Sequence, residues 1–217
     1  MRKILILTLL SVVALAPGAL ALDKGSSMFA LEIGHGQADQ ANVDPDINGY
    51  LGLDGSAPTH NSGEMLLGVE FWHMLTPDYA MTVSGALGTY REVETPAGGG
   101  SDLTYTTSSY RVRLGGDRVG QIGSRFTWFM GPGAELWSGR SKFELSPSSV
   151  QSPRVTRWAL NGRVGGVMAL NDRIGVVGRL GDSFGYASAK SGGAKTWWLA
   201  SGFDAMWGLT YSFGGKR

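Results

Sequence analysis

Residues 197–213, WWLASGFDAMWGLTYSF, limit the possible folds more than any other stretch of the chain. Sorted by parity, Trp197, Leu199, Ser201, Phe203, Ala205, Trp207, Leu209, Tyr211 and Phe213 fall on one side. Trp198, Ala200, Gly202, Asp204, Met206, Gly208, Thr210 and Ser212 fall on the other. A helix would scatter the large residues around its circumference, whereas a period of two gathers them on one face of a strand. At about 3.3 Å per residue such a strand is on the order of 50 Å long, far beyond the common length of about five or six residues. A strand this long, apolar on one face and carrying an aspartate on the other, needs an unusual setting.

Seven earlier segments read as strands: Met28–Gly36, Gly63–Met74, Tyr79–Glu92, Leu103–Gly115, Arg125–Ser138, Val155–Leu170 and Arg173–Ala187, with Lys195–Phe213 as the eighth. Most repeat the parity split. Met65, Leu67, Val69 and Phe71 oppose Glu64, Gly68 and Glu70, and Trp158, Leu160, Val164 and Met168 oppose Arg157, Asn161 and Arg163. The fourth segment is the weakest, because Thr104–Ser109 is polar on both faces. The 34 glycines are not gathered into linkers but sit inside apolar segments such as RVGGVMAL and MGPGAEL. Glycine inside strands marks bends and close backbone approach, as in a tightly curved sheet.

The connections sort by length. Residues 75–78, 116–124 and 171–172 are short, whereas 37–62, 93–102, 139–154 and 188–194 are longer and rich in Gly, Pro and Ser. Long and short alternate strictly, so an up-and-down barrel would carry every short turn at one rim and every long loop at the other. The expected fold is therefore all-β: an eight-stranded antiparallel up-and-down transmembrane β-barrel with short periplasmic turns and longer extracellular loops. Closure satisfies every backbone group in lipid, which an open sheet could not do. On the last strand the odd positions then face lipid, with Trp197 expected near the outer interface and Trp207, Tyr211 and Phe213 near the inner one, and Asp204 points into the barrel.

The N-terminus supports export. Met1–Lys3 is basic, residues 4–16 are apolar, and Ala19–Leu20–Ala21 suits a signal peptidase. Residues 1–21 read as a signal peptide and 22–217 as one outer-membrane barrel domain. With no cysteine, an exported chain has neither a disulfide framework nor a lipoprotein anchor. A net charge of +1 without a basic stripe argues against a nucleic-acid partner.

The signal peptide, eight amphipathic strands, alternating loop lengths and a terminal Tyr211–x–Phe213 together resemble the small bacterial outer-membrane β-barrels, the group of the OmpA transmembrane domain and its OmpX-like and OmpW-like relatives. The resemblance implies a Gram-negative outer membrane, contact with its lipid and lipopolysaccharide, insertion by the barrel-assembly machinery through the C-terminal strand, and a monomer. Gly214–Arg217 follow the Phe where members of the family usually stop. The resemblance does not bring the wall-anchoring role of OmpA, because no peptidoglycan-binding domain follows. The competing fold is an exported lipocalin-type barrel with its apolar face inward. Small residues on the polar face, aromatic residues toward the strand ends and the sorted loops favour the membrane barrel.

Three functional readings follow. The first is a structural or surface-interaction protein with a plugged lumen. Glu32, Glu70, Arg111, Arg113, Glu135, Arg157, Arg163, Arg179 and Asp204 all share the inward parity, five arginines against four carboxylates. An eight-stranded barrel is just wide enough for side chains to fill, so these charges should pair. The second reading is a narrow porin for small solutes. The third is a lipid A-modifying enzyme, for which His35, His60 and His73 are the only imidazoles. His35, with Ser62 or Ser191 in reach, lacks a triad-like spacing, so no catalytic residues are assigned and no enzyme activity is expected. Asp44, Asp46, Asn48 and Gly49 mimic the start of a calcium loop, but Gly55 stands where the bidentate Glu belongs. Turn chemistry explains that loop, and neither a metal nor another cofactor is expected.

Overall fold

A computed structural model describes residues 22–38, 63–94, 102–145, 148–191 and 194–214. The signal-peptide segment, most of the first loop with its calcium-like stretch and His60, and residues 215–217 lie outside the described residues. Nine strands are present: β1 (Ser27–Ala38), β2 (Glu64–Thr76), β3 (Tyr79–Glu94), β4 (Leu103–Ile122), β5 (Phe126–Leu145), β6 (Ser148–Gln151), β7 (Val155–Ala169), β8 (Ile174–Ser191) and β9 (Ala194–Phe213). Eight of them close a ring in which every neighbour is antiparallel, in the order β1, β2, β3, β4, β5, β7, β8, β9 and back to β1. The four-residue β6 stands outside the ring as a hairpin arm folded onto the end of β5, with Lys142 opposite Gln151.

The register fixes the barrel's dimensions. Starting at Met28 and stepping through the partners Trp72, Thr82, Gly115, Gly133, Asn161, Ser183 and Gly202 leads back to β1 at Ala38, ten residues further on. With eight strands about 4.8 Å apart and a rise of about 3.3 Å per residue, that shift tilts the strands by about 41°. Each residue then climbs about 2.5 Å along the barrel axis.

The parity rule holds around the ring. On β2 the side chains alternate buried and exposed without a break from Glu64 to Trp72, and on β7 from Val155 through Val164, with Thr156 half-buried. The outward members are large and apolar: Leu67, Leu87, Leu114, Leu160 and Leu209 are all more than half exposed. This inside-out arrangement excludes a lipocalin-type barrel, whose apolar face points inward. By the register, the belt that is apolar all round the ring runs from the level of Leu75 and Phe213 to that of Met65 and Trp158, on the order of 27 Å, close to the roughly 25 Å expected of a bilayer-crossing barrel, and on β8 and β9 Tyr186, Leu199 and Trp197 are exposed above it.

Three expectations need correction. The fourth strand does not stop at Gly115: β4 continues to Ile122, and the turn to β5 needs only residues 123–125, with Gly123 in the left-handed region at φ 66°. The longer connections 139–154 and 188–194 are largely strand, since β5 runs on to Leu145 and the β8–β9 hairpin stays paired up to Ser191 and Ala194. Trp207 is not at the inner interface. It lies six residues above Phe213, about 15 Å along the axis, level with the middle of the apolar belt.

Pro132 sits inside β5 and faces outward. Lacking an N–H, it cannot take part in a full ladder, and the β4–β5 register is interrupted between Gly115–Gly133 and Arg118–Met130. The carbonyl of Pro132 is used instead by the lumen, accepting from Arg113 Nη2 at 3.3 Å.

Candidate functional site

The interior is layered. Toward the short-turn end, an apolar plug is formed by Leu22, Met28, Ala30, Trp72, Met74, Ala80, Val119, Phe129, Val167, Ala169 and Val177. Its centre is an edge-to-face pair, Trp72 against Phe129, with ring centroids 4.4 Å apart. Leu22, ahead of β1, is buried in this cluster and closes it from below.

Above the plug lies the charged layer. All nine residues expected to point inward are buried there: Glu32, Glu70, Arg111, Arg113, Glu135, Arg157, Arg163, Arg179 and Asp204. Arg163 lies on the boundary. Its Nε donates to both carboxylate oxygens of Asp117 (3.2 and 3.1 Å), Nη2 also bonds Asp117, and Nη1 bonds Glu70. Its guanidinium carbon stands 5.5 Å from the Trp72 ring and 5.2 Å from the Phe129 ring, so the cation also caps the plug. Arg179 spans three acids, donating to Glu32 (3.1 Å) and Asp204 (2.7 Å), with Glu70 Oε2 at 3.7 Å. Arg157 bonds Glu135 (2.6 Å), Ser183 Oγ (2.9 Å) and the Ser201 carbonyl (2.6 Å). Arg113 is held mainly by neutral acceptors, Asn161 Oδ1 at 2.6 Å and Thr82 Oγ1 at 2.9 Å. Among the described residues Arg111 has only a long ion pair, Nη1 to Asp204 Oδ2 at 3.6 Å. Beside it a cavity of about 20 Å³ is lined by Arg113, Glu135, Arg179 and Asp204, with room for about one water.

Interior glycines make space for these heads. A β-carbon at Gly202 would lie 2.4 Å from Arg157 Nη1, one at Gly36 2.7 Å from Arg111 Nη2, and one at Gly181 2.9 Å from Asp204 Oδ2. Glycine is therefore placed opposite the long side chains that reach across the lumen.

Two members were missed. Asp117 is fully buried and takes the main contact of Arg163, but it falls in the stretch expected to be a turn. Glu64, also fully buried, accepts from Ser109 Oγ at 2.6 Å; its parity was inward, but it starts a strand, where a charge usually meets water. Among the described residues the lumen thus holds five arginines against six carboxylates. The outward face carries an exception of its own: Asp182 is exposed between Leu180 and Phe184, opposite Gly162 and Phe203.

Above the charged layer Trp137, Val155, Ala187, Ala189 and Ala200 form a second apolar cluster, with Trp198 packed against it. The two described histidines stand apart from the lumen. His35 is exposed, its ring against Gly63, and His73 Nδ1 lies 3.0 Å from Ser27 Oγ near the short-turn rim. Ser62 is outside the described residues, and Ser191 is described only as part of β8. No cluster of metal-ligating side chains occurs among the described residues.

No protein-family model matches this sequence, and no curated protein does. Solved structures do match. A major outer membrane protein from Thermus thermophilus superimposes with a TM-score of 0.50 at 11% identity, over 86% of this chain and 99% of that one. Ail, the attachment invasion locus protein of Yersinia pestis, gives 0.48 at 14% identity over 88% and 99%. OprG from Pseudomonas aeruginosa gives 0.48 at 12% over 89% and 98%. Identities this low speak to the fold alone, and the fold shared with the Thermus thermophilus protein is the outer-membrane β-barrel.

Proposed function

We propose that this outer-membrane barrel acts through its surfaces, as a structural or surface-interaction protein, and that its lumen does not conduct. The observation that carries this reading is a closure in two consecutive layers, the Arg–carboxylate network resting on the Trp72–Phe129 plug. A narrow porin needs a continuous polar path, and the short-turn half of this lumen is filled with apolar side chains instead. Opening the charged layer alone would expose buried ions without clearing the plug, at a cost of about 3–5 kcal/mol for each unpaired charge.

The same reading leaves out catalysis. The Ser27–His73 contact is a dyad without a carboxylate partner for His73 among the described residues, whereas acyl transfer by serine needs the histidine oriented by one. The ring of strands closes within one chain, which suits a monomer surrounded by lipid and lipopolysaccharide, inserted through the β9 end by the barrel-assembly machinery.

Swelling of proteoliposomes tests the proposal. Vesicles carrying the refolded barrel should swell no faster in small sugars than protein-free vesicles. Swelling graded by sugar size would replace this reading with the porin.

A further inference from the structure

Among the described residues, Arg111 is the lumen arginine that the network serves least. It is 6% exposed, and none of its three guanidinium nitrogens has a hydrogen-bond partner. Its ion pair to Asp204 is 3.6 Å long, and Asp204 is already held by Arg179 at 2.7 Å. Arg113, two residues on along the same face of β4, also lacks a carboxylate at hydrogen-bond distance. Asn161, Thr82 and the Pro132 carbonyl take its donors, and Asp117 stands 3.6 Å away. A guanidinium cannot shed its charge inside a protein, so burying one without an acceptor is costly.

Both side chains line the cavity of about 20 Å³. On its wall three arginines, Arg111, Arg113 and Arg179, meet two carboxylates, Glu135 and Asp204, and Glu135 is already bonded to Arg157 at 2.6 Å. The acids that balance the lumen as a whole, Glu32, Glu64, Glu70 and Asp117, do not line the cavity. The wall therefore carries a local positive excess. A water molecule there would give Arg111 an acceptor but leave that excess, whereas a monovalent anion meets both needs. Room for about one water excludes phosphate, sulfate and organic acids, but a chloride ion is only slightly larger than water. Ser84 and Asn161, also on the wall, bring a hydroxyl and an amide that can donate to it. We propose that this cavity is a binding site for one chloride ion, held by Arg111 and Arg113 and enclosed between the two apolar clusters of the lumen. The ion enters as the barrel folds and stays there, so the site neither needs nor opens a path through the lumen.

Bromide has the charge of chloride and nearly its size, and it scatters anomalously. Crystals of the mature barrel refolded in sodium bromide should show a bromide peak in the cavity, in contact with Arg111. Water alone, or nothing, at that place would overturn the site. Thermal unfolding of the refolded barrel gives the test in solution, with gluconate, which is too large for the cavity, replaced stepwise by chloride at constant ionic strength. The unfolding temperature of wild type should rise with chloride, as for any ligand of the folded state. Arg111→Met keeps the bulk of the stem without the charge and should not respond. Arg111→Lys keeps the charge and should respond at about tenfold higher chloride, as expected for one charge-assisted hydrogen bond lost. General salt effects act on all three proteins alike, so equal responses in wild type and Arg111→Met would overturn the site, as would no response in wild type. If Arg111→Met does not fold, the bromide crystal of the wild type decides alone.

Discussion

Arg163 joins the two closures of the lumen: Asp117 and Glu70 take its donors, while Trp72 and Phe129 lie beneath its plane. Removing it strands two fully buried carboxylates, so Arg163→Ala should lower the free energy of unfolding by about 3–5 kcal/mol, measured by urea titration in lipid. Adding Asp117→Asn should recover part of that loss, because one of the stranded charges is then gone. The glycine placement gives a separate check. Gly202→Ala drives a β-carbon into Arg157 and should cost about 1–3 kcal/mol in the same assay. At Gly162, on the lipid face, a β-carbon meets nothing within 4 Å, so Gly162→Ala should be close to neutral. Parity alone placed nine of these charged side chains, because a period of two assigns a face without knowledge of register. Asp117 was illegible because Gly115, Gly116 and Gly120 around it imitate a turn, while the real turn needs a left-handed residue only at Gly123. The partners of each arginine were also illegible, since they depend on how eight strands align.

Among the elements, β9 shows both what the pattern gives and where it stops. Its lipid face was readable residue by residue, but depth was not, because depth follows from the shift accumulated around the whole ring. The register puts Trp207 level with the middle of the belt and Phe203 about 10 Å above it, so Trp207→Arg should cost about 2–4 kcal/mol and Phe203→Arg clearly less. Equal losses at the two sites in a lipid unfolding titration would contradict this placement. On β8, Asp182 lies inside the belt, and Asp182→Leu should stabilise the barrel by about 1 kcal/mol. The polar run Thr104–Ser109, weak as a strand in sequence, is well paired on both sides within β4. Thr104, Thr106 and Ser108 face outward above the apolar belt, where no lipid demands an apolar face.

At the scale of the molecule, the chain is a tilted eight-stranded cylinder that is apolar outside, with a lumen filled by ions over an apolar plug. Strand number, alternation of loop lengths and the inside-out polarity were legible because each is a local pattern repeated many times. The layering of the lumen was not, since it arises only when seven strands bring their inward residues to matching heights. A shut lumen is the central claim, and current through single refolded barrels in a planar bilayer tests it most directly. Wild-type protein should stay at the membrane baseline, with Arg163→Ala giving at most brief, small openings. A steady, large conductance in wild type, unchanged by Arg163→Ala or Glu135→Ala, would contradict the account.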